Sequence, residues 1–209
     1  MSELHHPSPQ GEPSAEYHGT ADVETLADRL GDLARRLEAE EDTTAMLDAL
    51  VASAVEIIPG VEQASLTMVY RRREVRSEHP SGELPERVDA VQNEVREGPC
   101  LDAIYEQQTV RVPDMGHEPR WPHFARQAYA LGAGSMLSFQ LYVEGDNLGS
   151  LNLYNHAANA FDDESEQIGL LFASHAAVAY ADAKKIDGLA QAIASRDLIG
   201  QAKGILMER

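Results

Sequence analysis

The sequence predicts an α+β domain framed by long helices at its two ends. Near both ends apolar residues recur at three- and four-residue steps; between them, short segments alternate apolar and polar residues and are joined by turn residues. The chain has 209 residues, 43% apolar and 25% charged, enough for one domain of ordinary size with helical extensions.

Residues 1–22 hold His5, His6, Pro7, Pro9 and Pro13 with almost no large apolar side chain, which predicts a disordered tail. His5 and His6 are read there as solvated. A helix follows over residues 23–41, where Val23, Leu26, Leu30, Leu33 and Leu37 make a narrow stripe that requires a helical partner. Thr43 is expected to cap a second helix carrying Leu47, Leu50, Val51, Ala54 and Ile58, ended by Pro59-Gly60. Alternation over Ala64 to Tyr70 puts Leu66, Met68 and Tyr70 on one face of a strand, and Glu74 to Glu78 returns beside it. Arg71-Arg72-Arg73 between them reads as a solvated turn, because consecutive strand side chains point apart and cannot converge on a phosphate.

Pro85 and Pro99 each suit the first turn of a helix, the first with an apolar edge of Val88, Val91 and Val95. Thr109 to Asp114 reads as a strand stopped by Pro113, and Arg120-Trp121-Pro122 opens a short helix. Ser135 to Val143 and Leu148 to Tyr154 form a hairpin across Glu144-Gly145-Asp146-Asn147. The last helix starts with Asp162-Asp163-Glu164 at the positive end of its dipole. Ile168, Phe172, His175, Ala179, Asp182, Ile186, Leu189 and Ile193 then continue a helical seam.

The formal net charge is −18 and is unevenly placed: residues 184–209 carry +2, so the remainder carries −20. The body should repel nucleic acid, and only its C-terminal end can approach it. No apolar run is long enough to span a membrane and no signal peptide is present, so a cytoplasmic protein is expected. Cys100, the single cysteine, excludes an intramolecular disulfide and a multi-cysteine metal cluster. It lies near a helix start, where a dipole favours thiolate, but Glu97 and Asp102 oppose this, leaving a core role and a redox role as alternatives. His117, His123, His156 and His175 lack metal-ligand spacing, so no metal is expected. With no Gly-rich phosphate loop and no Ser-His-Asp or paired-carboxylate pattern, the expectation is a protein without enzymatic activity; no cofactor is assigned.

The series Gly98-Pro99-Cys100-Leu101-Asp102, Val110-Arg111-Val112-Pro113-Asp114, Arg120-Trp121-Pro122, Leu148-Gly149-Ser150-Leu151-Asn152-Leu153-Tyr154 and Phe161-Asp162 resembles a bacterial GAF domain. That resemblance implies a sensory domain over residues 42–183. It further implies an antiparallel sheet with helices on both faces, one side holding the terminal helices and the other a small-molecule pocket. Met68, Tyr70, Cys100, Ile104, Trp121, Phe124, Phe139 and Leu141 are the expected pocket residues. GAF-fold enzymes that reduce methionine sulfoxide use additional cysteines, which argues against that activity here.

Beyond a helical linker over residues 184–194, Arg196-Asp197-Leu198-Ile199-Gly200-Gln201-Ala202-Lys203-Gly204-Ile205-Leu206-Met207 resembles the opening helix of an ANTAR domain, the RNA-binding output module of bacterial antiterminators. Residues 195–209 are therefore expected to begin such a module and to leave it incomplete. The resemblance implies RNA-hairpin binding by the complete module, with Arg196 and Lys203 on phosphates. Leu26, Leu30, Leu33, Leu37, Phe172, Ile186, Leu189 and Ile193 are the expected seam of a homodimer. The expected function is effector sensing in a transcription antitermination regulator. The alternatives are a stand-alone dimeric binding module and a thiol redox sensor through Cys100.

Overall fold

The computed structural model describes residues 19–40, 42–70, 74–105, 108–144 and 146–207. Helices α1 (Gly19–Ala39) and α2 (Thr43–Ile57) lead into the hairpin β1 (Gln63–Tyr70) and β2 (Glu74–Glu78). Helices α3 (Glu83–Val95) and α4 (Pro99–Tyr105), strand β3 (Thr109–Val112) and α5 (Pro122–Ala130) follow. The hairpin β4 (Ser135–Val143) and β5 (Asp146–Asn155) and the helix α6 (Asp163–Met207) complete the chain. The five strands form one antiparallel sheet in the order β2-β1-β5-β4-β3.

Strand alternation divides the core in two. Leu66, Met68, Leu137, Phe139, Leu151 and Leu153 face one side and pack against α1, α2 and the first half of α6. Val110, Val112, Met136 and Tyr154 face the other and pack with Leu84 and Val88 of α3, Ala103 of α4, and Phe124 and Ala128 of α5. Burying large side chains such as Phe139 and Phe124 is worth about 1.5–3 kcal/mol each before conformational entropy is counted.

Three local expectations change. Helix α1 begins at Gly19, so the tail expected through Asp22 ends earlier; residues 1–18 lie outside the described residues. Asp42, not Thr43, caps α2 by accepting from the Ala45 amide, and the Thr43 hydroxyl donates instead to Asp187 of α6 at 2.5 Å. Strand β5 starts at Asp146, two residues into the expected turn, with a register shift at Leu141/Tyr142. The Arg71-Arg72-Arg73 turn lies outside the described residues.

Helix α6 runs unbroken for 45 residues, about 66 Å, through both the expected linker and the segment resembling an ANTAR opening. Of the expected seam between subunits, Leu30, Leu33, Leu37 and Phe172 are buried within the chain's own core, with Leu26 packed against it. The stripe of α1 finds its helical partner in α2 and α6 of the same chain. Ile186 and Leu189 are 66% and 65% exposed. The side chains of Ile193, Arg196 and Lys203 lie outside the described ones.

Candidate functional site

On the sheet face beneath α3 and α4, the alternate positions of the central strands are small and polar. Ser65 and Thr67 of β1, Ser138 of β4, and Ser150 and Asn152 of β5 are at most 1% exposed. The register sets them in rows, Ser138 beside Asn152 beside Ser65, with Ser150 beside Thr67 beside Ser77 in the next row. Asn152 donates to the Thr67 hydroxyl at 2.8 Å and accepts from Ser150 at 3.1 Å. Ser138 Oγ has no hydrogen-bond partner. Buried hydroxyls cost free energy unless satisfied; those of Ser65, Thr67 and Ser150 have protein partners, and Ser138 is the one of this floor left open.

The roof is tied to that floor through Asp89 of α3. Its carboxylate accepts from Ser65 at 2.6 Å, from Gln92 at 3.0 Å and from the Tyr154 phenol. Gln92 in turn accepts from the Cys100 amide at 3.0 Å, linking α3 to the start of α4. Ile104, at the other end of α4, accepts through its carbonyl from Gln140 at 2.8 Å and Asn147 at 2.5 Å. Asp89 is fully enclosed, and burial pushes its carboxyl up to about 6 against the opposing hydrogen bonds of Ser65, Tyr154 and Gln92. The same burial raises the Tyr154 phenol and the Cys100 thiol well above their ordinary values, helped in both cases by the Asp89 charge.

A second set of contacts ties the start of α5 to α4. Trp121 donates through Nε1 to Asp102 of α4 at 3.1 Å, and the Arg120 guanidinium stacks 4.3 Å from its ring centroid. Arg120 is held by Glu118 at 2.7 Å and by the Arg111 carbonyl at 2.7 Å. The α5 N-terminus, whose cap residue Trp121 makes no side-chain capping bond, is satisfied instead by Glu97, which accepts from His123 and Phe124. Arg111 also pairs with Asp163 at 2.9 Å and Glu166 at 3.4 Å, joining β3 to the root of α6.

The eight expected pocket residues divide between the two sides of the sheet. Trp121 and Phe124 lie in the core under α3–α5, and Cys100 and Ile104 sit on α4 above the polar floor. Met68, Phe139 and Leu141 belong to the opposite core with the terminal helices, and Tyr70 packs against that core while donating to Glu78 at 2.8 Å. These four do not meet the other four. Sequence reasoning passed over Ser65, Thr67, Asp89, Gln92, Ser138, Asn152 and Tyr154; the signal for Ser65, Thr67 and Asn152 is a small polar residue at every second position of β1 and β5, and Asp89 and Gln92 on α3 carry none.

The histidines make local bonds: His117 with Asp114 at 2.8 Å, His156 with Glu62 at 2.6 Å, and His175 with the Leu171 carbonyl at 2.8 Å. Among the described residues no group of three or more His, Cys, Asp or Glu is placed to hold a metal ion, and no helix is long and apolar enough to cross a membrane.

The profile of GAF domains matches residues 40–181. The chain belongs to the GAF family. No curated protein matches it significantly. A GAF domain of a phosphoenolpyruvate-protein phosphotransferase from Coxiella burnetii superimposes with TM-score 0.62 at 17% identity, covering 80% of this chain and 99% of that one. A domain of a putative two-component sensor histidine kinase from Sinorhizobium meliloti gives 0.59 at 15%, covering 73% and 99%.

Free methionine-R-sulfoxide reductase from Neisseria meningitidis gives 0.61 at 17% identity, covering 89% and 99%. The reductases of Staphylococcus aureus and Thermoplasma acidophilum are also similar in fold. The expectation of a protein without enzymatic activity is thereby overturned, because this GAF fold is one that carries catalysis.

Cys100 is 1% exposed, with its thiol pushed up by burial. Iodoacetamide is therefore expected to alkylate it in the native chain at least about a hundredfold more slowly than in the denatured chain. Equal rates by mass spectrometry would show an open chamber and restore thiol chemistry as a function.

Proposed function

We propose that the chain is the sensory part of a signalling protein, receiving a small molecule in the polar chamber between the sheet and α3–α4 and reporting through α6. The observation that carries this is the buried floor of Ser65, Thr67, Ser138, Ser150 and Asn152 beneath a helical roof anchored through Asp89. An effector that replaces the Asp89 bonds moves α3 and α4. The Arg111 pairs with Asp163 and Glu166 give that movement a route to the root of α6.

In the finer reading two copies associate through the exposed face of α6, where Val178 and Ile186 line an open groove of about 730 Å³ between α1, α2 and α6 and Leu189 is exposed beyond it. The output is an ANTAR module, of which residues 195–209 resemble the opening, and the complete module binds an RNA hairpin to prevent termination. Arg196 and Lys203 contribute salt-sensitive phosphate contacts in that module.

A fragment screen by protein NMR tests the chamber. Binding fragments are expected to shift the amides of Ser65, Ser138 and Asn152 together with those at the root of α6. Shifts confined to the groove between α1 and α6 would move the sensory site there. Sedimentation of the chain with and without Ile186→Glu tests association; a monomer in both would exclude the homodimer.

A further inference from the structure

The chamber has a one-sided charge inventory. Asp89 is the one charged residue buried as a whole among the described residues; the Glu118 side chain, 5% exposed, is paired with Arg120, and no described lysine, arginine or histidine is buried. The groups around it are neutral: Gln92 on α3, Ser65 on β1, Ser77 on β2, Tyr154 on β5 and Cys100 on α4, with Asp102 of α4 farther off acting on Cys100. The phenol and the thiol stay protonated because burial raises both. A buried carboxylate thus rests on neutral donors without a counter-ion, whereas buried charges are ordinarily paired.

The second observation is independent. Ser138 Oγ, 0% exposed and on the same sheet face, has no partner. Ser138 pairs with Asn152 and Asn152 with Ser65, so the free hydroxyl lies two strands, about 10 Å, from the residue that holds Asp89.

From these two observations we infer that the effector is a small protonated amine bearing at least one hydroxyl, its ammonium on Asp89 and its hydroxyl on Ser138. The inference rests on the chamber reading given above. An anion would surrender its hydration and meet a carboxylate with no cation to receive it. An ammonium supplies the missing counter-ion where the low dielectric strengthens the pair, and the hydroxyl completes Ser138. The donors it displaces have another place to go: the Ser65 hydroxyl already lies 3.4 Å from the Tyr154 oxygen.

Matched probes sharing one carbon skeleton test the assignment on the intact chain: aminopropanediol, glycerol and glycerate, then glucamine, sorbitol and gluconate. Affinity is read from thermal shift and location from amide shifts. The amine of each set is expected to bind most tightly and to shift Ser65 and Ser138. Asp89→Asn is expected to weaken the amine at least about thirtyfold more than it weakens the alcohol. Ser138→Ala should weaken aminopropanediol but not propylamine.

Should Asp89→Asn fail to fold, a pH series on the unaltered chain serves. Amine affinity should fall as pH drops through about 6, where Asp89 protonates, while glycerol stays constant. If the alcohol or carboxylate binds the chamber as tightly as the amine, the amine assignment falls and the chamber stands. Amine binding that shifts only amides outside the chamber overturns both, and binding by no probe overturns the amine assignment.

Discussion

Gly149→Ala is expected to cost at least about 4 kcal/mol, a large share of the roughly 5–15 kcal/mol that holds a domain folded. Gly149 has φ +145°, and a Cβ placed on it would lie 1.9 Å from the Thr67 carbonyl oxygen and 3.0 Å from the Met68 Cα. Both obstacles are backbone atoms of the neighbouring strand, where Met68 is the direct partner of Gly149. Relief would require prying β1 from β5 at the centre of the sheet, breaking the ladder that also carries the chamber floor. The matched control is Gly188→Ala in α6, where nothing lies within 4 Å of the new Cβ. Helix propensity there favours alanine by roughly 0.8–1 kcal/mol. Urea denaturation of the two variants should move in opposite directions, and equal midpoints would contradict the packing around Gly149.

The second large effect is the pH dependence that Asp89 imposes on folding. Its folded value, about 6, lies above the ordinary value of 3.8, so the native state holds the proton more tightly than the unfolded chain does. The associated stability is present below about pH 4 and is lost as pH rises through about 6, a change of about 3 kcal/mol. Asp89→Asn, neutral throughout, should lack this decline. Its stability relative to the unaltered chain should therefore rise by about 3 kcal/mol between pH 4 and pH 7. Tyr154→Phe removes one of the donors to the carboxylate and should carry the decline to higher pH. Parallel stability curves for Asp89→Asn and the unaltered chain would show that the buried carboxyl is not titrating in this window.

Much of the architecture is legible because periodicity records burial. Leu66 and Met68 alternate with Ser65 and Thr67, and the sheet honours that alternation residue by residue. Pro99 and Pro122 open α4 and α5 where their missing amide hydrogens cost nothing. The identity of the two faces was less accessible. A large apolar side chain at alternate positions says that a face is buried, not beneath which helices it lies. Met68 and Phe139 were assigned to the pocket by size, yet that size serves the packing of α1, α2 and α6. The chamber is written in the residues between them, small and hydroxylated, and such residues look unremarkable in a strand until the register sets them side by side. Asp89 was equally hidden, because one acid on a helix with exposed Glu86 and Glu94 carries no mark of burial.

Helix α6 also fixes how far a small displacement reaches. Its first half is bedded on the sheet, with Phe172, Ala176 and Ala177 in the core, and its last member of that core is Ala181. From there to Met207 the axis extends about 39 Å. A tilt of about 5° at the bedded end therefore sweeps the far end through about 3 Å, the size of a hydrogen-bond length. In the signalling reading proposed above the helix would act as a lever: with its pivot at Ala181, a displacement at Asp163, about 27 Å back along the axis, reaches Met207 enlarged about 1.4-fold.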